Sequence, residues 1–310
     1  MQQRNFIQYL IISLKGMAMG AADVVPGVSG GTIAFISGIY EELLTSISSV
    51  NIKNLKLLKS DGIKAAWKAI NGNFLLALVI GIFVSIVSLA KIISWLLENK
   101  PIMVWAFFFG LVLASILHVG KQIHKWNTIA VFCLIIGAGT AYYITTLEPL
   151  ISEGSSPMFL FLAGAVAICA MILPGISGAF ILVLLGAYKP VLEAIHDRNF
   201  KIIAILAAGA IVGLLSFSKV LKWLFNNYKD YTLAVLTGFI LGSLNKIWPW
   251  KETLTWRMNS HGVKVPFNQQ SISPLSFEGD AQLSMAIGLS LVGFAVIILL
   301  EKTASKADKI

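Results

Sequence analysis

The chain has 310 residues, 57% hydrophobic and only 13% charged, with a mean hydropathy of +0.81, a composition that belongs in a bilayer as a polytopic membrane protein. Its formal net charge of +9 sits on lysines in the connections between apolar runs, where cytoplasmic loops and anionic headgroups account for it, which removes the case for a nucleic-acid ligand. Cys133 and Cys169 both lie inside apolar segments, so neither a disulfide framework nor a zinc site is implied.

In chain order, Arg4 and the apolar run over residues 6–14 have the outline of a signal peptide, but they belong to an internal repeat. The segment Val25-Pro26-Gly27-Val28-Ser29-Gly30-Gly31-Thr32 returns 148 residues later as Leu173-Pro174-Gly175-Ile176-Ser177-Gly178-Ala179-Phe180. The same shift pairs Gly16 with Gly164, Gly38 with Gly186 and Tyr40 with Tyr188. A shift of 128 then pairs Gly81 with Gly209, Lys91 with Lys219, Trp95 with Trp223 and Gly110 with Gly238. The first copy carries an extra lysine-rich piece at residues 49–73 that reads as an interfacial amphipathic helix. Six apolar stretches are long enough to cross about 30 Å of hydrocarbon: residues 74–97, 102–118, 128–147, 202–225, 231–248 and 283–300. The segments bearing the motifs, about 6–44 and 158–192, are apolar on both sides of a Pro-Gly break.

If each broken segment enters and leaves on one side, each copy contributes three crossings, an odd number, and the second copy is inverted relative to the first. Arg4, the loop at 49–73, Lys121, Lys125, Lys222, Lys229 and the basic tail then become cytoplasmic, and residues 148–157, without Lys or Arg, become external. The external loop at 249–280, with Lys251, Arg257 and Lys264, departs from the rule, as does Lys246 beside it. The expected fold is an all-α integral membrane protein of two inverted-topology repeats, 1–150 and 151–310. Each repeat is a re-entrant Pro-Gly-broken helical hairpin followed by three transmembrane helices, and all form one membrane domain with both termini cytoplasmic.

Such an arrangement brings the two breaks, at Pro26-Gly27 and Pro174-Gly175, toward each other. A helix starting at Ser29 or Ser177 offers a hydroxyl, backbone N–H groups and the positive end of its dipole, and Gly30, Gly31 and Gly178 let a phosphate or carboxylate approach the backbone. The expected phosphate-binding set is Ser29, Gly30, Gly31, Thr32, Ser177 and Gly178. Asp23, present only in the first copy, either couples transport to a cation or caps backbone N–H groups. Glu41 is a second coupling candidate, though its place after the hairpin favours the interface. Lys15 is placed to pair with Asp23 or touch headgroups; Lys91 and Lys219 either snorkel beside their tryptophans or guide a headgroup. Tyr40 and Tyr188 read as interfacial anchors. His118, His124, His196 and His261 form no metal cluster, and no catalytic constellation or cofactor motif is present.

The run from Gly16 through Asp23, Pro26-Gly27-Val28-Ser29-Gly30-Gly31-Thr32 and Gly38-Ile39-Tyr40-Glu41 resembles the bacterial undecaprenyl-phosphate translocase family of the PopT type. Ala170-Met171-Ile172-Leu173-Pro174-Gly175-Ile176-Ser177-Gly178 and Gly186-Ala187-Tyr188 carry the same likeness. The resemblance implies return of undecaprenyl phosphate from the outer to the inner leaflet of the cytoplasmic membrane, for reuse in cell-wall and surface-glycan synthesis. Two other classes stay open: an ion-coupled transporter or channel for a small anion, which would use the same helix starts, and a membrane phosphatase or transferase, which the lack of any constellation of acids, histidines or arginines near the hairpins weakens. Neither the coupling ion, proton or sodium, nor the oligomeric state, for which a homodimer is the candidate, follows from the sequence.

Overall fold

The computed structural model describes residues 4–25, 28–148, 156–258 and 264–307. Helix α1 (Phe6–Val24) begins at a capping box in which Asn5 and Gln8 each accept the other's backbone N–H at 2.9 Å. It ends just before Pro26, where a ring without an N–H forbids further helix; Pro26 and Gly27 themselves lie outside the described residues. The short helices α2 (Gly30–Ile36) and α3 (Tyr40–Ser48) follow. The linker expected as one amphipathic helix is two, α4 (Ile52–Ser60) and α5 (Gly62–Ala69), because Gly62 takes a φ of +81°. Three long helices complete the first half: α6 (Gly72–Asn99), α7 (Pro101–Gly120) and α8 (Thr128–Thr146).

The second half has α9 (Pro157–Ile172), α10 (Gly178–Leu184), α11 (Tyr188–His196), α12 (Phe200–Asn227), α13 (Lys229–Ser243) and α14 (Leu283–Ala307). Helices α10 and α11 begin and end 148 residues after α2 and α3, and α12 begins and ends 128 residues after α6. Gly38 and Gly186 turn both hairpins with left-handed φ values of +73° and +71°. Helices α6, α7, α8 and α12 are long and apolar enough to cross a membrane, and α10 and α11 meet at 109°. Helix α13 stops at 15 residues, short of the span expected over 231–248, because the chain tightens into a 3₁₀ turn at Leu244–Ile247. Between that turn and α14 the expected loop holds antiparallel strands β1 (Lys251–Met258) and β2 (Lys264–Ser271), an addition to the all-α expectation. Trp248 and Trp250 tie this ribbon down through Nε1–H bonds to the Ile272 carbonyl (2.8 Å) and the Ala281 carbonyl (2.9 Å).

Four side-by-side helix pairs carry the packing: α1 with α6, α9 with α12, α7 with α14 and α8 with α13. In each the partners run in the same direction and meet at glycines. Ser13 Oγ donates to the Ala77 carbonyl at 2.8 Å, while a Cβ on Gly20 would meet Ile82 and Ser85 further along. A Cβ on Gly164 would strike the Leu206 carbonyl and one on Gly213 the Ala165 carbonyl; one on Gly238 would strike the Leu134 carbonyl and one on Gly242 the Ala138 carbonyl. Ser290 Oγ bonds the Ala106 carbonyl at 2.8 Å, and a Cβ on Gly293 would strike the Phe107 carbonyl. Lipid tails are as apolar as the helices, so close backbone approach at small residues supplies the attraction that hydrophobic burial supplies in water. The outward faces stay apolar and exposed, at Phe83, Val87, Phe132 and Leu291 among others.

Two glycines on α14 separate this packing role from helix propensity. Gly293 faces α7, whereas nothing lies within 4 Å of a Cβ on Gly288. Gly293→Ala is expected to cost about 1–3 kcal/mol by overpacking and to lower the thermal midpoint of the detergent-solubilised protein, while Gly288→Ala leaves it unchanged or raises it.

Candidate functional site

The first break is closed by its own side chains. Asp23, on the last turn of α1, accepts the Gly30 N–H on Oδ1 at 2.7 Å, and Ser29 Oγ accepts the Gly31 N–H at 3.1 Å. The bare N–H groups expected at the start of α2 are therefore engaged from within the chain. A Cβ on Gly30 would stand 2.5 Å from Asp23 Oδ2, so a side chain there would push the carboxylate off its seat.

The two breaks meet through hydroxyl groups. Ser29 Oγ, while capping α2, donates to the Met171 carbonyl at 3.1 Å; Tyr40 Oη donates to the Ile172 carbonyl at 3.1 Å. Thr32 Oγ1 accepts the Gly175 N–H at 2.9 Å. The Ser29 and Tyr40 bonds take up carbonyls that the end of α9 leaves without helical partners, and the Thr32 bond satisfies an N–H of the break, in a place where Ser29 and Thr32 are each 1% exposed. Gly31 makes the approach possible, since a Cβ there would stand 2.6 Å from the Ile172 carbonyl oxygen. Phe35 and Phe225 pack against the Tyr40 ring, with centroids 4.8 and 5.9 Å from it, and close the junction. Tyr40, expected as an interfacial anchor, is thus a buried tie between the two breaks. A hydroxyl at the end of a short amphipathic helix looks interfacial in sequence, and only the opposing strand of backbone reveals its partner.

The second break is less closed. Ser177 caps α10 by position but makes no side-chain cap bond, and it is half-buried. Gly178 is buried, with 2.7 Å between a Cβ and the Ala167 carbonyl oxygen. Pro174 and Gly175 are also buried, and Gly175 turns the chain at a φ of +89°.

The remaining expected residues lie apart from this junction. Lys15 Nζ donates to the Ser37 carbonyl at 2.7 Å, at the far end of α2, rather than to Asp23. Glu41 pairs with Lys229 at 2.6 Å, half-exposed where α3 meets the start of α13, and the adjacent Glu42 takes a two-pronged pair from Arg4 at 2.6 and 2.8 Å. Lys91 and Lys219 are exposed on α6 and α12 near exposed Trp95 and Trp223. Cys133 and Cys169 are free and half-buried. No group of three or more His, Cys, Asp or Glu positioned for a metal occurs among the described residues.

Two lysines outside the expected set meet aromatic rings. Lys246 Nζ sits 4.3 Å from the centre of the Phe180 ring on α10, and Lys251 Nζ sits 3.5 Å from the Trp105 ring on α7 while donating to the Lys246 carbonyl at 2.7 Å. Burial holds the Lys251 ammonium well below the usual lysine range, and the neighbouring Lys246 lowers it further. The sequence signal was there, in lysines of a connection that breaks the expected charge pattern. The 3₁₀ turn that carries Lys246 also borders a cavity of about 530 Å³, which opens between Phe109, Leu244, Asn245, Trp248, Ser271 and Ser273.

A family model described as undecaprenyl phosphate translocase-like matches residues 19–265, which include both breaks and the junction between them. The chain belongs to that family. It is 52% identical over 306 residues to a polyprenyl-phosphate transporter of Vibrio cholerae, covering 97% of this chain and 98% of that one. It is 33% identical over 266 residues to a polyprenyl-phosphate transporter of Staphylococcus aureus, covering 80% and 88%. No solved structure matches it.

The junction bonds are separable from bulk. Thr32→Val removes the acceptor of a buried N–H at nearly constant volume and is expected to destabilise the detergent-solubilised protein by about 1–3 kcal/mol in a denaturant or thermal series, whereas Thr32→Ser retains most of that stability.

Proposed function

We propose that this protein carries undecaprenyl phosphate across the bacterial cytoplasmic membrane from the outer to the inner leaflet, as a transporter and not an enzyme, so that cell-wall and glycan synthesis reuse the carrier. The anionic head of a polyprenyl phosphate cannot cross hydrocarbon unaided, while its tail remains in lipid. A short polar path for the head is therefore sufficient. Ser29, Gly30, Gly31 and Thr32 from one break and Ser177 and Gly178 from the other provide it, set between repeats 1–150 and 151–310.

Asp23 on the Gly30 N–H is the observation on which this rests. A carboxylate already occupies the seat that an anion takes at a helix start. In the proposed cycle the phosphate head displaces Asp23, and a cation, proton or sodium, neutralises the released carboxylate, which links movement of the lipid to a gradient. Glu41, held by Lys229 at a half-exposed pair, is the weaker coupling candidate. Lys15, Lys91 and Lys219 serve the head only at the rims of the path.

Inverted insertion of the two halves is part of the proposal. Consecutive long helices in a membrane reverse direction, and α6 is joined to α7, and α12 to α13, by a single residue. Since α7 runs alongside α14 and α8 alongside α13 in the same sense, α6, α7 and α8 alternate oppositely to α12, α13 and α14. Both termini and the lysine-bearing α4 and α5 then lie in the cytoplasm, and the β-ribbon lies outside. The relatives in Vibrio cholerae and Staphylococcus aureus are polyprenyl-phosphate transporters, which agrees with this cargo rather than with a small soluble anion.

Purified protein in liposomes is expected to speed exchange of undecaprenyl phosphate between leaflets, under a proton or sodium gradient imposed in turn. Ser29→Ala and Gly30→Leu reduce the rate about tenfold or more. Asp23→Asn keeps an acceptor for the Gly30 N–H but carries no charge, so its rate stops responding to the gradient. Folded wild-type protein that accelerates nothing under any gradient sinks the proposal.

A further inference from the structure

Lys246 and Lys251 form a cationic pair to which the described residues bring no counter-charge. Neither ammonium has a carboxylate partner among the described residues: Lys246 Nζ meets only the Phe180 ring, and Lys251 Nζ meets the Trp105 ring and one carbonyl. Two half-buried like charges held together on aromatic faces are costly to keep unless something anionic repays them. An ammonium carries three donors, so several N–H groups of the pair remain for an incoming oxygen. Their location is specific. Phe180 lies two residues after Gly178 on α10, the helix that follows the second break, and Lys246 Nζ reaches its ring from the 3₁₀ turn.

We propose that Lys246 and Lys251 form the receiving site for the phosphate monoester head on the ribbon side of the protein, from which the head passes along α10 to the junction of the two breaks. The assignment rests on the transport reading above and adds the place where the lipid is first held. A phosphate monoester carries close to two negative charges at neutral pH and has three acceptor oxygens, which match two ammonium groups in charge and exceed what a phosphodiester lipid, with one charge, presents. The aromatic faces orient the ammoniums without neutralising them, because a ring quadrupole attracts a cation and leaves its N–H groups directed elsewhere. The 3₁₀ turn that carries Lys246 also borders, through Leu244 and Asn245, a cavity lined mainly by apolar groups, which suits the first prenyl units.

The test uses the full chain in phosphatidylcholine liposomes, with undecaprenyl phosphate supplied at varied density, and Lys246→Gln alone and with Lys251→Gln. Lys246→Gln is the safer variant, since the Lys246 side chain makes no hydrogen bond among the described residues, and Lys246→Arg is the charge-retaining control. The expected result is a half-saturating lipid density raised about tenfold with an unchanged maximal rate, recovered by Lys246→Arg. Wild-type kinetics in the neutral variants overturn the assignment and leave the transport reading intact. If wild-type protein transports nothing, binding of soluble farnesyl phosphate to the detergent-solubilised protein still decides: loss in the neutral variants supports the site, and equal binding overturns it. Competition by phosphatidylglycerol at equal density also overturns it, as the pair would then be an ordinary anionic-lipid contact.

Discussion

Three hydroxyl groups, on Ser29, Thr32 and Tyr40, hold the backbone at residues 171–175, and the arrangement of the whole protein depends on that contact. A helix broken inside a bilayer leaves N–H and carbonyl groups that no water satisfies, each worth several kcal/mol if left alone. Here the first break stabilises the second by lending it side chains. The sequence of the first copy is accordingly the more polar one, with Thr32 and Asp23 where the second has Phe180 and Met171. The asymmetry between the copies is a division of labour, because one donor break can serve two.

Around that junction the glycines decide the distances. Gly81 and Gly209 occupy equivalent positions and each brings a long helix against the first helix of its own hairpin, at Ser13 and Phe161. Gly110 and Gly238 are likewise equivalent and join one half to the other, against Ser290 and Leu134. Each hairpin is thus clamped to its own long helix while the remaining long helices exchange partners between halves. Such a frame can hold two breaks in register and still leave the hairpins, which contribute the short helices, as the parts with least helical length to move.

Much of this was legible in the chain. The duplicated Pro-Gly motif located both breaks, and the two shifts of 148 and 128 anticipated helix boundaries that coincide to the residue in α2, α3 and α6 and their counterparts. The reason is that Pro, Gly and Ser act locally, through φ, a missing N–H or a cap. Partners distant in sequence were not legible. Gly30 and Gly31 read as openings for a ligand, whereas one makes room for Asp23 and the other for the Ile172 carbonyl. Tyr40 read as a membrane anchor for the same reason. The β-ribbon reads as a loop because of its length between two apolar spans, although Leu254, Trp256 and Met258 alternate with polar residues at a strand's period of two. Only the fold brings Lys246 and Lys251 onto the rings of Phe180 and Trp105.

The junction works as a path through the membrane only if the two hairpins enter from opposite faces, and labelling from one side tests this directly. In a background with Cys133 and Cys169 replaced, single cysteines at two exposed positions, Lys59→Cys on α4 and Glu278→Cys after the ribbon, are treated with a membrane-impermeant maleimide in intact spheroplasts. The account predicts that Glu278→Cys reacts at once and Lys59→Cys reacts only after the membrane is opened. Labelling of both from the same side would contradict it.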